Sequence, residues 1–309
     1  MKKVLLIAGG GTLGRYTAQE LLNLGHSVDI ICLEDFVSDN PLLKYYKGYA
    51  TYSFLEEHLS KNHYDGIINF IHYEYVEDYR PVHDLLIKNT EHLIFLSSYR
   101  VYADLQIPIT ETAPMLLDIS TDEEFLLTEK YALSKAKAEK FLNKECKGQN
   151  WTVVRPVISF STLRFDLFTH SGDYVVNCAK TNSPVLLPEC AKKLTAGLDW
   201  AGNSGKLIAN LLFKKETIGE AYTVSSAQNL KWGEVADIYA KLMGVKIQYT
   251  STEEFIKEFH SEKQKSWQFY YDRMFDRVID NSKILKATGL CKDDFLSIED
   301  GLKTELSQL

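Results

Sequence analysis

Val4-Leu5-Leu6-Ile7-Ala8-Gly9-Gly10-Gly11-Thr12-Leu13-Gly14 decides the fold. The apolar run Val4 to Ala8 is continuous, as in a parallel strand covered on both faces. A glycine-rich turn follows at once, with Gly9, Gly11 and Gly14 in the spacing GxGxxG. Tyr16, Leu21, Leu22 and Leu24 then mark an amphipathic helix, and Gly25 stands where such helices close. Val28 to Leu33 reads as a second strand. Strand, glycine turn, helix, strand is the context in which this spacing carries chemistry. The glycines let backbone approach a pyrophosphate, and the helix start offers it free N–H groups. The reading is a dinucleotide site using Gly9, Gly11, Thr12, Leu13 and Gly14. The alternative is a tight turn with no ligand.

A carboxylate about 20 residues past the glycines binds the ribose hydroxyl of NAD, whereas arginine favours NADP. Glu34 and Asp35 follow the second strand, and Glu34 is chosen, giving NAD. Arg15, next to Gly14, keeps NADP open. Downstream, Tyr49–Tyr52 is expected as a third strand and 54–59 as a helix. Asp65 to Ile71 is expected as a fourth strand, which brings Phe70 under the nicotinamide half. Val76–Lys88, with Pro81 inside, reads as a kinked or two-part helix. His92 to Leu96 is a fifth strand with Ser97-Ser98 at its carboxyl end, where open α/β sheets bind ligands. Asp122 to Lys147 carries helical spacing, with Tyr131 and Lys135 near its middle, and Trp151 to Pro156 is a sixth strand.

Tyr131-Ala132-Leu133-Ser134-Lys135 brings proton chemistry to this frame. Tyrosine and lysine four apart on a helix share a face. An ammonium close by favours the phenolate, lowering a pKa that is ordinarily about 10. With Ser98 holding the substrate oxygen, the set suits oxidation of a secondary alcohol, or reduction of a ketone, beside a nicotinamide.

The glycine turn, Ser98, Tyr131 with Lys135, and Arg155-Pro156 stand in the order that resembles the extended short-chain dehydrogenase/reductase family, in its NAD-dependent epimerase/dehydratase branch. Ser97-Ser98-Tyr99-Arg100-Val101-Tyr102 is similar to the family's Ser-Ser-x-x-Val-Tyr segment. Lys192 to Ala201 can be laid on a later segment, keeping Asp199 and Ala201, and Asp280-Asn281-Ser282-Lys283 on another. The resemblance implies Ser98, Tyr131 and Lys135 as catalytic residues, with Lys135 also holding the nicotinamide ribose, and a nucleotide-sugar substrate. Departures are plain. Ala8 replaces the first family glycine, and Cys32 the usual acid ending strand two. Tyr99-Arg100 replaces the Asp-Glu pair of the 4,6-dehydratases, so dehydration is not expected. Val157-Ile158 replaces an asparagine that holds the diphosphate, and Lys192 an arginine.

The expected architecture is α/β, a Rossmann-type doubly wound parallel sheet in residues 1–160 and mainly a smaller substrate-binding lobe in 161–309. Some C-terminal segments are expected to return to the sheet. Beyond 160 the sequence marks helices near 165–180, 200–213, 230–243 and 251–259, with short strands at 221–224 and 247–250. A net charge of -7 over 309 residues argues against a nucleic-acid partner. Five cysteines without ligand spacing argue against zinc or disulfides. No apolar run approaches the ~20 residues of a membrane span, so a cytoplasmic protein is expected. Homodimerisation through 76–88 and 122–147 is expected from the resemblance, although their apolar residues could equally be core. The competing functional classes are a ketone or aldehyde reductase using NADP(H), and a non-catalytic dinucleotide sensor or RNA-associated protein of the same fold.

Overall fold

The computed structural model describes residues 1–262 and 266–308. Among the described residues eleven strands run in chain order: β1 Lys3–Ile7, β2 Ser27–Cys32, β3 Leu43–Lys47, β4 Gly66–Asn69, β5 His92–Leu96, β6 Trp151–Pro156, β7 Ile158–Phe160, β8 Pro184–Pro188, β9 Leu198–Trp200, β10 Ala221–Val224 and β11 Lys246–Thr250. Seven make a central sheet of order β10-β6-β5-β4-β1-β2-β3, every pair parallel. The order reverses between β1 and β4, which opens a crevice beyond their carboxyl ends. This is the doubly wound Rossmann-type arrangement that the sequence implies.

Helices cover both faces. Leu6, Ile30, Ile68 and Val154 pack towards Ala18 and Leu21 of the helix Thr12–Asn23 and Leu207 and Ile208 of the helix Ala201–Ala209. On the other face Ile7, Ile31 and Leu93 meet Leu55, Val82 and Leu86, and Phe95 and Val153 meet Tyr79, Phe141 and Leu142. Tyr79, Val82 and Leu86 of Val76–Lys88 and Phe141 and Leu142 of Ala132–Glu145 are thus core against the sheet. The exposed residues of these two helices are Glu77, Asp78, Pro81, Asp84 and Lys88, and Lys137, Asn143, Lys144 and Glu145.

The second half does not stay apart. β10 is the edge strand beside β6, and the helix Ala201–Ala209 packs on Thr12–Asn23. There Gly205 is obligatory, because a Cβ would stand 2.6 Å from the backbone carbon of Tyr16. The remaining C-terminal elements build a lobe around Phe160, Leu167, Phe168, Trp232, Tyr239 and Phe255, with β8 and β11 paired in it. No described helix is long and apolar enough to cross a membrane.

Three local expectations are corrected. The third strand is Leu43–Lys47, not Tyr49–Tyr52. It is an edge strand with exposed Lys44 and Lys47, and a strand open on one side shows no continuous apolar run. Val76–Lys88 is one helix that runs through Pro81. The segment 122–147 is two helices, Glu123–Thr128 and Ala132–Glu145, so Tyr131 does not lie mid-helix but immediately precedes the second.

Buried polar bonds fix that second helix on the sheet. Arg155 of β6, 3% exposed, donates from Nε and Nη2 to the Glu139 carboxylate, with Nε 3.0 Å from Oε1. Its Nη1 donates to Tyr102 Oη at 2.8 Å and to the Glu111 carbonyl at 2.9 Å. Glu139 also accepts from Ser97 Oγ. Removing one member leaves an uncompensated buried charge. Arg155→Leu is therefore expected to destabilise the protein by about 3–5 kcal/mol, measured by urea unfolding. Adding Glu139→Leu should recover most of that loss, and a single-variant cost below about 1 kcal/mol would contradict the assignment.

Candidate functional site

Gly11 is the N-cap of the helix Thr12–Asn23, which has no side-chain cap and no acidic residue in its first turn. Its leading N–H groups are therefore not satisfied from within the helix. A Cβ on Gly11 would meet nothing within 4 Å, whereas one on Gly14 would lie 2.2 Å from the Gly9 carbonyl oxygen. Gly14 lets helix and strand close up, and Gly11 leaves open space at the helix start. These features fit a pyrophosphate. Ala8, at the first family glycine's position, adopts φ 57°, the left-handed conformation that glycine takes without strain.

Two cavities meet at Ala8 and Gly11. The first, of about 400 Å³, is lined by Gly10, Cys32, Glu34, Tyr49, Thr51 and Ile71 among others. It lies over the ends of β1 and β2, where the adenosine half of a dinucleotide binds in this fold. Glu34 lines it, with Gly10 against its carboxylate; the sequence alone pointed to no role for Gly10. Arg15 donates from Nε to the Gly10 carbonyl at 2.8 Å and lies over the Phe36 ring at 4.7 Å.

The second cavity, of about 470 Å³, brings Thr12, Leu13 and Gly14 together with Phe70, Ser98 and Tyr131. These come from the glycine turn, the residue after β4, the residues after β5 and the start of the helix Ala132–Glu145. Two predicted residues lie elsewhere. Gly9 faces inward against Leu6 and Ile30. Lys135 lines neither cavity and is 1% exposed, its Nζ donating to the Leu96 carbonyl at 2.5 Å and the Ile71 carbonyl at 3.1 Å. Both carbonyls belong to cavity-lining residues, so the amine sits directly behind the wall. Burial pulls its pKa down to about 7, with Glu139 opposing.

Tyr131 is held by its surroundings rather than by helical spacing. The Glu129 carboxylate accepts from the backbone N–H groups of Tyr131, Ala132 and Leu133 at 3.0, 3.0 and 2.9 Å. It thereby caps the helix and interrupts the preceding one. The Tyr131 carbonyl accepts from Lys135 N at 3.0 Å. The phenol ring lies against His72, centroids 5.1 Å apart, and under the Arg100 guanidinium at 5.0 Å. Ser98 Oγ accepts from Arg100 N at 3.2 Å. The sequence alone pointed to no role for Glu129 or His72 and marked Arg100 only as a departure from the family pattern.

Other expected positions are structural. Asp199 is buried and accepts from Trp200 N, Asn203 Nδ2 and the Ser226 N–H and hydroxyl. Burial pushes its carboxyl up to about 6. Lys192 leans over the Tyr249 ring at 4.1 Å and does not line the second cavity.

No family model matches the chain, and no curated protein matches it by sequence. Solved structures do. An epimerase from Methanothermobacter thermautotrophicus superposes with a TM-score of 0.73 at 16% identity, over 98% of this chain and 90% of its own. A UDP-glucose 4-epimerase with UDP-glucose from Thermotoga maritima gives 0.73 at 13%, over 99% and 97%. A dTDP-glucose 4,6-dehydratase from Bacillus anthracis, in complex with NAD, gives 0.72 at 15%, over 99% and 96%. The chain thus has, over 98–99% of its length, the fold of these epimerase and dehydratase structures.

Two measurements check the site. Gly11→Ala should change stability by less than about 1 kcal/mol yet weaken NAD binding, whereas Gly14→Ala should destabilise by about 1–3 kcal/mol or more; calorimetry and thermal unfolding separate them, and equal behaviour would contradict the two roles. The Lys135 Cε carbon, followed by NMR in the cofactor-free protein, should titrate near pH 7, cationic below and neutral above. A midpoint above about pH 9 would show that the amine is better solvated than its burial implies.

Proposed function

We propose that the protein is an NAD(P)-dependent epimerase or oxidoreductase of the extended short-chain dehydrogenase/reductase type, acting on a secondary alcohol or ketone, with a nucleotide-sugar as the favoured substrate class. The observation that carries this is the meeting of Ser98 and Tyr131 with Gly11–Gly14 in one cavity. The fold is shared with epimerases that handle such substrates, which supports the reading by analogy.

In this reading Gly11, Thr12, Leu13 and Gly14 hold the pyrophosphate, Glu34 the adenosine ribose, and Phe70 borders the nicotinamide end. Bound NAD would supply hydride acceptance and return. Ser98 Oγ donates to the reacting oxygen, and Tyr131 Oη takes or gives the hydroxyl proton. Lys135 acts from behind the wall. Its ammonium charge is lost as the amine gives up its proton through about pH 7. The Ile71 and Leu96 carbonyls fix where that charge sits. A cytoplasmic location and a homodimeric assembly belong to this reading as expectations of the same class.

Arg15 favours a second reading. It is exposed beside Gly10, where a 2′-phosphate would lie, and so suits an NADP(H)-linked reductase. Tightly retained NAD after purification supports epimerase; freely exchanging NADPH supports reductase.

The test is Tyr131→Phe, assayed by turnover on a nucleotide-hexose panel together with cofactor titration. Loss of a positioned proton donor should lower kcat about 10²- to 10⁴-fold with dinucleotide affinity nearly unchanged. Retained turnover in the variant would refute the role of Tyr131.

A further inference from the structure

Arg100, which lines the second cavity beside Ser98 and Tyr131, belongs to a cluster of charges. Three guanidiniums, Arg100, Arg273 and Arg277, stand with two carboxylates, Glu129 and Asp272. Both oxygens of Asp272 are taken, one by Arg273 Nη1 and the other by Arg277 Nε at 3.2 Å. Burial opposes its ionisation, but Arg273, Arg277 and, to a lesser degree, Arg100 hold its carboxyl below the ordinary range. Arg273 and Arg277 are also fixed by carbonyls, those of Phe168 at 2.8 Å and Tyr102 at 3.1 Å.

Glu129 has little more to offer, since its carboxylate holds three backbone N–H groups at a helix start. The hydrogen bond that remains for Arg100 is a long one, Nη2 to Glu129 Oε1 at 3.5 Å, beside its place over the Tyr131 ring at 5.0 Å. Its Nε is cut off from solvent and has no hydrogen-bond partner, which leaves the Nη groups as the donors a ligand in the cavity can meet. Its side chain is only 16% exposed, and Arg100 lines the cavity beside Ser98 and Tyr131. Among the described residues no carboxylate lines that cavity, and its other arginine, Arg164, is paired with Asp166 at 2.5 Å. Arg100 is therefore the under-satisfied cation of a cluster with three positive and two negative charges, and of these five it lines the cavity, in a chain whose net charge is -7. A largely desolvated guanidinium with spare donors is costly unless an anion completes it. The planar fork of arginine fits a carboxylate, with two parallel N–H···O bonds.

We infer that Arg100 is a specificity-determining residue that binds a carboxylate at the reacting end of the substrate, beside the alcohol or ketone at Tyr131. The substrate is then a hydroxy acid or keto acid, a sugar uronate being one form. This rests on the proposed reading of the cavity as the redox site. It adds to that reading the charge of the substrate's reacting end.

The test is calorimetric titration of the full chain, with and without NAD, using two matched pairs: UDP-glucuronic acid against UDP-glucose, and free glucuronate against glucose. Within a pair the acid should bind about 10- to 100-fold more tightly, the worth of a charge-assisted hydrogen bond. Arg100→Gln should abolish that preference, and Arg100→Lys should restore part of it; a purely structural role would weaken acid and neutral ligand alike. Whichever acid binds shows whether the carboxylate arrives on a nucleotide-sugar or on a small acid. The inference is overturned if the neutral member binds as well, if neither acid binds under either condition, or if the preference survives in Arg100→Gln. A separate NAD titration keeps the two claims apart. An acid preference without NAD binding would leave the carboxylate site standing and remove the dinucleotide reading.

Discussion

The site depends on one carboxylate and the N–H groups it collects. Glu129 ends one helix and starts the next by accepting from Tyr131, Ala132 and Leu133, and it draws Arg100 from the segment after β5 towards the same point. Two pieces of chain distant in sequence, the one bearing Ser98 and the one bearing Tyr131, meet at one cavity wall. Without that cap the helix start would lose its satisfied N–H groups, and the phenol would lose its fixed backbone. The Arg155–Glu139 pair does the complementary work one helical stretch later, tying the helix to β6.

Lys135 shows how the fold both provides and limits a charge. The helix carries it beneath the β4 and β5 ends, where the carbonyls of Ile71 and Leu96 receive its Nζ. Desolvation favours the neutral amine, and Glu139 only partly offsets this. Arg100 lies over the phenol ring with its guanidinium. The two cations therefore differ in place: one is concealed behind the wall, the other stands in it.

Much of this is legible in the chain. Val4 to Gly14 specifies strand, turn and helix because burial on both faces and close backbone approach each leave a residue signature. The strands 92–96 and 151–156 read as cleanly, for the same reason. Ser98 and Tyr131 can be placed near strand ends and on helical segments, and they do share a cavity with the glycine turn. What cannot be read depends on partners far away in sequence or on competition for the backbone. The break before Ala132 comes from a side chain competing for backbone N–H groups, which looks like helical spacing until the bonds are seen. The third strand is misplaced from sequence because an edge strand with Lys44 and Lys47 lacks the apolar run that marks a buried one. Arg100 is visible as a departure, but its missing partner becomes evident only once Glu129 and Asp272 are seen to be occupied by others.

The most direct measurement is an experimental structure of the protein with NAD added. The expected result is a dinucleotide whose pyrophosphate lies at Gly11–Gly14 and whose adenosine occupies the cavity bordered by Glu34, with the nicotinamide end in the cavity of Ser98 and Tyr131. A dinucleotide bound elsewhere, or side chains filling that space while Tyr131 turns away, would contradict it.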